Sequence, residues 1–340
     1  MKWYFVLGWI SYLFLAVPAS AQHRPVDPAV TYANTHGTGD ATYKQGWFGS
    51  GDTKLHYVEA GKGPLVILYH GFPSNWFSWF DLMETLKGQY RVVAVDGLGA
   101  GLSGKPASLT PYRIDRLGKQ LDKLSRHLNG NRRYILIGHD WGAALSLAYA
   151  QAYPKRLHAV VGMSAPPYNL FMELVRDSAE QRQRSEYMQR FRAMTLDDVR
   201  ESGFADRFAK QVYQGLLDEG HLSAEEAALF EASVGMPETM AAGINWYRAN
   251  VPDFNSQSEM PKWPRRNRTI SAPTLIVWGV KDKTFVPTFL DEMPRYASKL
   301  SVLRLAEAGH MTPIEKSVQS SKEIVLFLAS VCVFDKSGSC

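Results

Sequence analysis

Gly138-His139-Asp140-Trp141-Gly142 is the part of this chain best equipped to do chemistry. It follows the apolar run Tyr134-Ile135-Leu136-Ile137 and precedes a helical-looking stretch at 143–153, so it reads as strand, tight turn and helix. The glycines on either side of Asp140 give the G-x-Nuc-x-G spacing of a nucleophile elbow, where only small residues let strand and helix approach closely. A carboxylate in that place needs no base to activate it, because it is already ionised at neutral pH. It suits attack on an electrophilic carbon that expels, or opens toward, an oxygen or a halide. Taken alone, G-x-D-x-G is equally an aspartate capping the helix that follows.

Three further motifs separate these readings. His70-Gly71-Phe72-Pro73 comes directly after the apolar run at 65–69, where such an architecture draws one backbone N–H of an oxyanion hole; the residue after the nucleophile gives the other. The donors are then the amides of Phe72 and Trp141, holding negative charge on a tetrahedral intermediate. Asp282 lies three residues past Gly279 at the end of another apolar run, and His310 stands in Gly309-His310-Met311-Thr312-Pro313 after the run at 301–305. The order nucleophile, acid, histidine is the one this geometry requires. His310 would take a proton from water, and Asp282 would orient it and stabilise the imidazolium. Singly, Asp282 could be a turn residue and His310 a structural histidine; four motifs, each at a strand's C-terminal end, make a site.

Those strands have to be positioned. Apolar runs at 55–59, 65–69, 91–95, 134–137, 159–163, 274–278 and 301–305 alternate with amphipathic stretches at 76–86, 114–128, 143–153 and 318–328. The alternation predicts an α/β fold, a mostly parallel doubly wound sheet with helices on both faces. It breaks between about 166 and 267, where helical, polar stretches at 173–192, 196–202, 205–218, 223–234 and 237–248 predict a helical cap inserted between core strands. The expected division is a signal peptide at 1–21, an extended N-terminal arm at 22–45, core at 46–166, cap at 167–267, core again at 268–330, and a tail at 331–340.

With 340 residues, 45% of them hydrophobic and 21% charged, the chain can bury a large core and is not disordered by composition. The net charge of +5 is spread out, and its one cluster, at 262–268, reads as a solvated loop with no nucleic-acid motif beside it. Met1-Lys2, the apolar stretch 3–17 and Pro18-Ala19-Ser20-Ala21 have the plan of a secretory signal with cleavage before Gln22, so a secreted or periplasmic location is expected. The alternative is an uncleaved anchor, but the stretch falls short of the ~20 residues a span needs. Cys332 and Cys340 are the only cysteines; in an oxidising compartment they could close a short loop or stay unpaired.

Taken together, these motifs resemble the α/β-hydrolase family, and more closely its epoxide hydrolase branch. His70-Gly71-Phe72-Pro73-Ser74-Asn75-Trp76 is similar to that branch's oxyanion loop, Gly138-His139-Asp140-Trp141-Gly142-Ala143 to its elbow, and the loop from Asp96 to Pro106 to the family's loop after the third core strand. The resemblance covers about 46–328. It implies two cap tyrosines that donate to the epoxide oxygen as the ring opens. Asn245-Trp246-Tyr247-Arg248 is a close match for one; Tyr187, in Tyr187-Met188-Gln189-Arg190-Phe191, is a looser match for the other, with Tyr168 and Tyr213 as runners-up. It implies an apolar epoxide as substrate, bound by Trp141, Tyr187 and Tyr247, and no metal or organic cofactor.

A dehalogenase with the same Asp-His-Asp triad is the nearest rival. Trp141 could serve a halide, but Phe72 stands where a second donor such as Asn is usual, and no Arg follows Asp140 to hold a carboxylate as in fluoroacetate dehalogenases. One branch places its acid on the strand after the elbow helix; here Gly162-Met163-Ser164-Ala165-Pro166 has no carboxylate. A non-catalytic binding protein on this scaffold is the third reading, and the presence of all of Asp140, Asp282 and His310 argues against it.

Overall fold

A computed structural model describes residues 25–40, 42–254, 263–264 and 268–331. The expected signal segment 1–21, Cys332 and Cys340 lie outside them. Among the described residues no helix is long and apolar enough to cross a membrane.

The chain runs α1 (Pro28–His36), β1 (Lys44–Phe48), β2 (Leu55–Ala60), β3 (Leu65–Tyr69), α2 (Phe80–Leu86), β4 (Arg91–Val95), α3 (Ile114–Asn129), β5 (Tyr134–His139), α4 (Trp141–Ala152) and β6 (Leu157–Met163). The cap follows as α5 (Tyr168–Asp177), α6 (Ala179–Arg184), α7 (Glu186–Ala193), α8 (Leu196–Glu201), α9 (Phe204–Asp218), α10 (Ala224–Val234) and α11 (Pro237–Asn250). The core resumes with β7 (Thr274–Gly279), α12 (Phe289–Glu292), β8 (Leu300–Leu305), α13 (Thr312–Glu315) and α14 (Ser317–Val331).

The eight strands form one sheet in the order β1-β2-β4-β3-β5-β6-β7-β8. β1 and β2 pair antiparallel, as do β2 and β4, and every other pair is parallel. The interior strands are continuous runs of Val, Ile and Leu because both faces are covered. Helices α3 and α4 pack on one face, α2 and α14 on the other. The register brings strand ends level: Tyr69 faces Gly138, His139 faces Met163, and Gly279 faces Leu305. The loops that carry Phe72, Asp140, Asp282 and His310 therefore leave from one edge of the sheet.

The N-terminal arm departs from its expected extended form. Asp27 caps α1, its side chain accepting from the Ala29 N–H at 2.9 Å, and Pro28 takes the first helical position. Tyr32 then packs edge-on against Phe77 at 5.3 Å. The arm also contributes β1, whose Gly46 leaves room for the Tyr57 ring. The helix expected at 173–192 is broken into α5, α6 and α7, with Ser178 capping α6 by accepting from Gln181 N–H. The helix expected at 76–86 begins as a 3-10 turn, Trp76–Trp79.

The cap grips the core at the loops of interest. Tyr213 Oη donates to the Pro73 carbonyl at 2.5 Å, and Trp246 Nε1 to the Leu98 carbonyl at 2.7 Å. Gln181 holds the loop after β7 from both sides, donating to the Thr284 carbonyl at 3.0 Å and accepting from Val286 N–H at 2.9 Å.

Candidate active site

Asp140 links β5 to α4 with φ 53° and ψ −122°, a strained backbone for a residue with a side chain. A Cβ on Gly138 would overlap the Gly142 carbonyl, and one on Gly142 the Tyr69 carbonyl, so the flanking glycines are steric necessities. A Cβ on Gly71 would run into the Asp140 carboxylate itself. The nucleophile position is thus pressed against the loop that carries Phe72.

The Phe72 N–H donates to Asp140 Oδ1 at 2.8 Å. His310 Nε2 lies 3.3 Å from Asp140 Oδ2, and His310 Nδ1 lies 2.8 Å from Asp282 Oδ2. The other Asp282 oxygen accepts from Thr284 N–H at 2.6 Å. Trp141 supplies the first N–H of α4, one of the amides a helix leaves without an intrahelical partner. Asp140, Asp282, His310, Phe72 and Trp141, far apart in sequence, are thus brought to one place.

Two carboxylates flank one imidazole, and the charges follow. Burial pushes the His310 pKa down, but Asp282 and then Asp140 outweigh it and hold the imidazole well above its ordinary range. Burial likewise raises the Asp140 carboxyl, and the His310 hydrogen bond and charge, with the Phe72 amide, bring it below the usual range. Asp140 is therefore an ionised carboxylate in a buried turn.

Several residues to which the motifs assigned no role hold this geometry. Glu315 accepts from the Gly309 N–H and, at 2.7 Å, from the Met311 N–H, so one carboxylate fixes the backbone on both sides of His310. His139 Nε2 donates to the His310 carbonyl at 2.8 Å. Its ring is buried, its Nδ1 has no partner among the described residues, and burial lowers its pKa to about 4, so it is neutral. His70 accepts from Gly97 N–H at Nε2 (2.9 Å), which leaves Nδ1–H to donate to the Gly71 carbonyl at 2.7 Å and fixes the loop ahead of Phe72. From the cap, Arg184 reaches the carbonyls of Phe285, at 2.8 Å, and Asp282, at 3.3 Å.

Comparison with known proteins identifies the family. The alpha/beta hydrolase fold family matches residues 64–317. Mouse "Epoxide hydrolase 3" is 30% identical over 272 residues, spanning 78% of this chain and 71% of that protein. The chain belongs to the α/β hydrolase fold family, in its epoxide hydrolase branch. The "AB hydrolase superfamily protein YfhM" of Bacillus subtilis is 28% identical over 81% of this chain and 94% of its own length. The crystal structure of a Bacillus megaterium epoxide hydrolase with an inhibitor is similar with a TM-score of 0.75 and 27% identity, over 84% of this chain and all of that one.

In this member of the branch the cap presents Tyr187, from α7, and Tyr247, from α11, toward the same carboxylate. Burial raises both phenols, and the negative charge of Asp140 raises both further. Their rings meet at 6.2 Å between centroids, and Tyr247 stands edge-on to Trp141 at 5.2 Å. Phe191 and Phe72 complete an aromatic wall around Tyr247, at 5.1 and 5.4 Å. The runners-up are engaged elsewhere. Tyr168 Oη donates to the Asn250 carbonyl at 2.5 Å, and Tyr213 Oη to that of Pro73, so neither hydroxyl is left to meet a ligand.

Proposed function

We propose that this protein opens an epoxide to a vicinal diol through an ester on Asp140, acting on a small apolar substrate without metal or organic cofactor. Asp140 attacks an epoxide carbon; the Asp140 Oδ–carbon bond forms as the ring C–O bond breaks, and the electron pair passes to the ring oxygen. Tyr187 and Tyr247 donate to that oxygen, and one phenol gives up its proton to it. Water then attacks the ester carbonyl while His310 Nε2 takes its proton, and the Phe72 and Trp141 amides hold the oxyanion. The acyl–oxygen bond breaks, the diol leaves with the proton that His310 took from water, and the carboxylic acid left on Asp140 gives up its proton as the phenolate regains one, so the protein returns to its starting state.

The observation that carries this reading is the pair of cap phenols beside an ionised carboxylate, Tyr247 buried and Tyr187 partly buried. Alkoxide charge would develop where two neutral O–H donors converge, beside the rings of Phe72, Phe191 and Trp141. The electrostatics support the two stages. Esterification removes the Asp140 charge, one of the two that hold His310 protonated, so the imidazole becomes a base when one is needed.

The test is intact-mass analysis of the His310→Gln variant with an aryl epoxide and with a haloalkane. A gain equal to the whole epoxide supports the proposal. A gain equal to the alkyl group without its halogen makes the protein a dehalogenase, and a folded variant that takes up neither overturns the assignment of Asp140. We propose further that the chain is exported and cut after Ala21, on the strength of the charged start, apolar stretch and small-x-small sequence at its N-terminus.

A further inference from the structure

The loop after β7 carries Asp282, and its backbone is held from the cap. The carbonyls of Asp282, Thr284 and Phe285 and the N–H of Val286 are each met by a side chain of α6. Arg184 donates to the first and third of these carbonyls; Gln181 donates to the second and accepts from Val286. Phe285 closes the loop against both neighbours, its ring edge-on to Phe171 of α5 at 5.5 Å and 6.3 Å from the imidazole of His310. Gln181 has a further bond. Its Nε2 donates to Ser185 Oγ at 2.8 Å as well as to the Thr284 carbonyl at 3.0 Å. Ser185 is the turn residue that ends α6 and opens α7, and Tyr187 follows two places later. Both amide hydrogens and the amide oxygen of Gln181 are thus engaged, in a fully buried residue. A buried amide whose groups are all paired is fixed in position, and it fixes its partners in turn.

We infer that Gln181 is a positioning residue for both stages of the reaction: its amide ties the loop of Asp282 to the turn from which α7 presents Tyr187, so that the partner of the base and one ring-opening donor are set by a single side chain of the cap. Arg184 serves the acid loop alone, and Ser185 passes the constraint to Tyr187. Because α6 belongs to the cap and Asp282 to the core, the placement of the acid depends on the seating of the cap. The inference rests on the epoxide reading for the tasks of Asp282 and Tyr187, but the hydrogen bonds are independent of it.

The experiment compares the parent protein with Gln181→Met, Ser185→Ala and Arg184→Met. Gln181→Met keeps the length of the side chain and removes its hydrogen bonds. Rapid-quench mass spectrometry in the His310→Gln background reads ester formation with an aryl epoxide, and single-turnover release of diol with His310 intact reads hydrolysis. Gln181→Met is expected to slow both stages by about tenfold to a hundredfold, the loss that a misplacement of about 1 Å gives. Ser185→Ala is expected to slow ester formation alone, and Arg184→Met hydrolysis alone. The pH profile of hydrolysis separates positioning from general loosening. His310 is faced by Asp282, by Asp140, whose charge is gone in the ester, and by the neutral His139. Displacing Asp282 removes the remaining charge that raises the imidazole, so the rising limb moves to lower pH in Gln181→Met and Arg184→Met and stays in place in Ser185→Ala. Proton NMR of the free protein gives the same comparison without chemistry. The Nδ1–H resonance of His310, identified by its loss in His310→Gln, is expected to shift in Gln181→Met and Arg184→Met and not in Ser185→Ala. Folded Gln181→Met with parent rates, or with both stages slowed and the limb and resonance unmoved, overturns the inference. If Gln181→Met does not fold, the other two variants decide, and equal effects on both stages, or none on either, overturn it. A parent that turns over no epoxide removes the epoxide reading alone. The resonance then decides: its shift in Gln181→Met supports the positioning of Asp282, and an unmoved resonance overturns that as well.

Discussion

Tyr247→Phe removes one oxygen from the heart of the site and little else. The ring is 2% exposed and stands edge-on to Trp141, Phe191 and Phe72, ring contacts that phenylalanine keeps while the hydroxyl's interactions with Trp141 and Tyr187 are lost. The loss in stability is then that of one buried hydroxyl, about 1 kcal/mol. On the proposed mechanism the loss in rate is larger, because the hydroxyl is one of two donors to an oxygen that becomes an alkoxide. Removing one such donor costs about 10²–10³ in rate, and with Tyr187 still in place the lower figure, about a hundredfold, is expected. The effect falls on ester formation alone. Hydrolysis of the ester is assigned in that mechanism to His310, Asp282 and the Phe72 amide, whose contacts are unchanged. Rapid-quench mass spectrometry in the His310→Gln background reads ester formation directly, and single-turnover release of diol in the parent background reads its hydrolysis. The pH profile adds a sign. A donor must be protonated, and both phenols are raised above the ordinary tyrosine value of 10.0, so ester formation holds its rate past that pH before falling. Ester formation at the parent rate in Tyr247→Phe, or an equal slowing of both stages, would refute the donor assignment.

Three further outcomes are expected. Gly142→Ala sets a Cβ against the Tyr69 carbonyl, so the elbow must shift away from β3; activity is expected to be lost together with about 1–3 kcal/mol of stability, and a melting curve and turnover rate equal to the parent's would show that the turn is slack. His139 is folded with a pKa near 4 against an ordinary 6.5, so the unfolded chain binds its proton first; stability from this residue is full above about pH 6.5, declines as pH falls through the window, and is lower by about 3 kcal/mol at its acid end. His139→Asn should therefore lose less stability than the parent between pH 7 and about 4.5 in urea titrations, and equal losses would contradict the account. Mass analysis of protein collected after export should give an N-terminus at Gln22; a chain that still begins at Met1 would count against cleavage.

What the sequence disclosed and what it concealed divide along a physical line. The elbow was legible because its demands are local and steric: a strained residue, a glycine two places before it and another two places after, between an apolar run and a helix. The parallel sheet was legible because strands covered on both faces must be apolar throughout, as Leu65–Tyr69 is. The arm was misread because its order comes from elsewhere. Its helix has little amphipathic pattern and is held by Tyr32 on Phe77, and β1, Lys-Gln-Gly-Trp-Phe, has no β-branched residue and owes its place to pairing with β2. The same holds inside the site. Glu315 looks like an ordinary acidic residue in the first turn of a short helix, and nothing in its neighbourhood says that it will brace Gly309 and Met311. Arg184 looks like half of an exposed pair with Glu180, yet its guanidinium also crosses from cap to core to bind the loop of Asp282. Gly243 is the sharpest case. In sequence it is a weak point in a helix; in the fold it is the space that the Phe72 ring fills, where a Cβ would stand 2.6 Å from it. A residue that touches the reacting group is marked by its own chemistry, whereas a residue that acts by leaving room is visible only once the chain has folded around it.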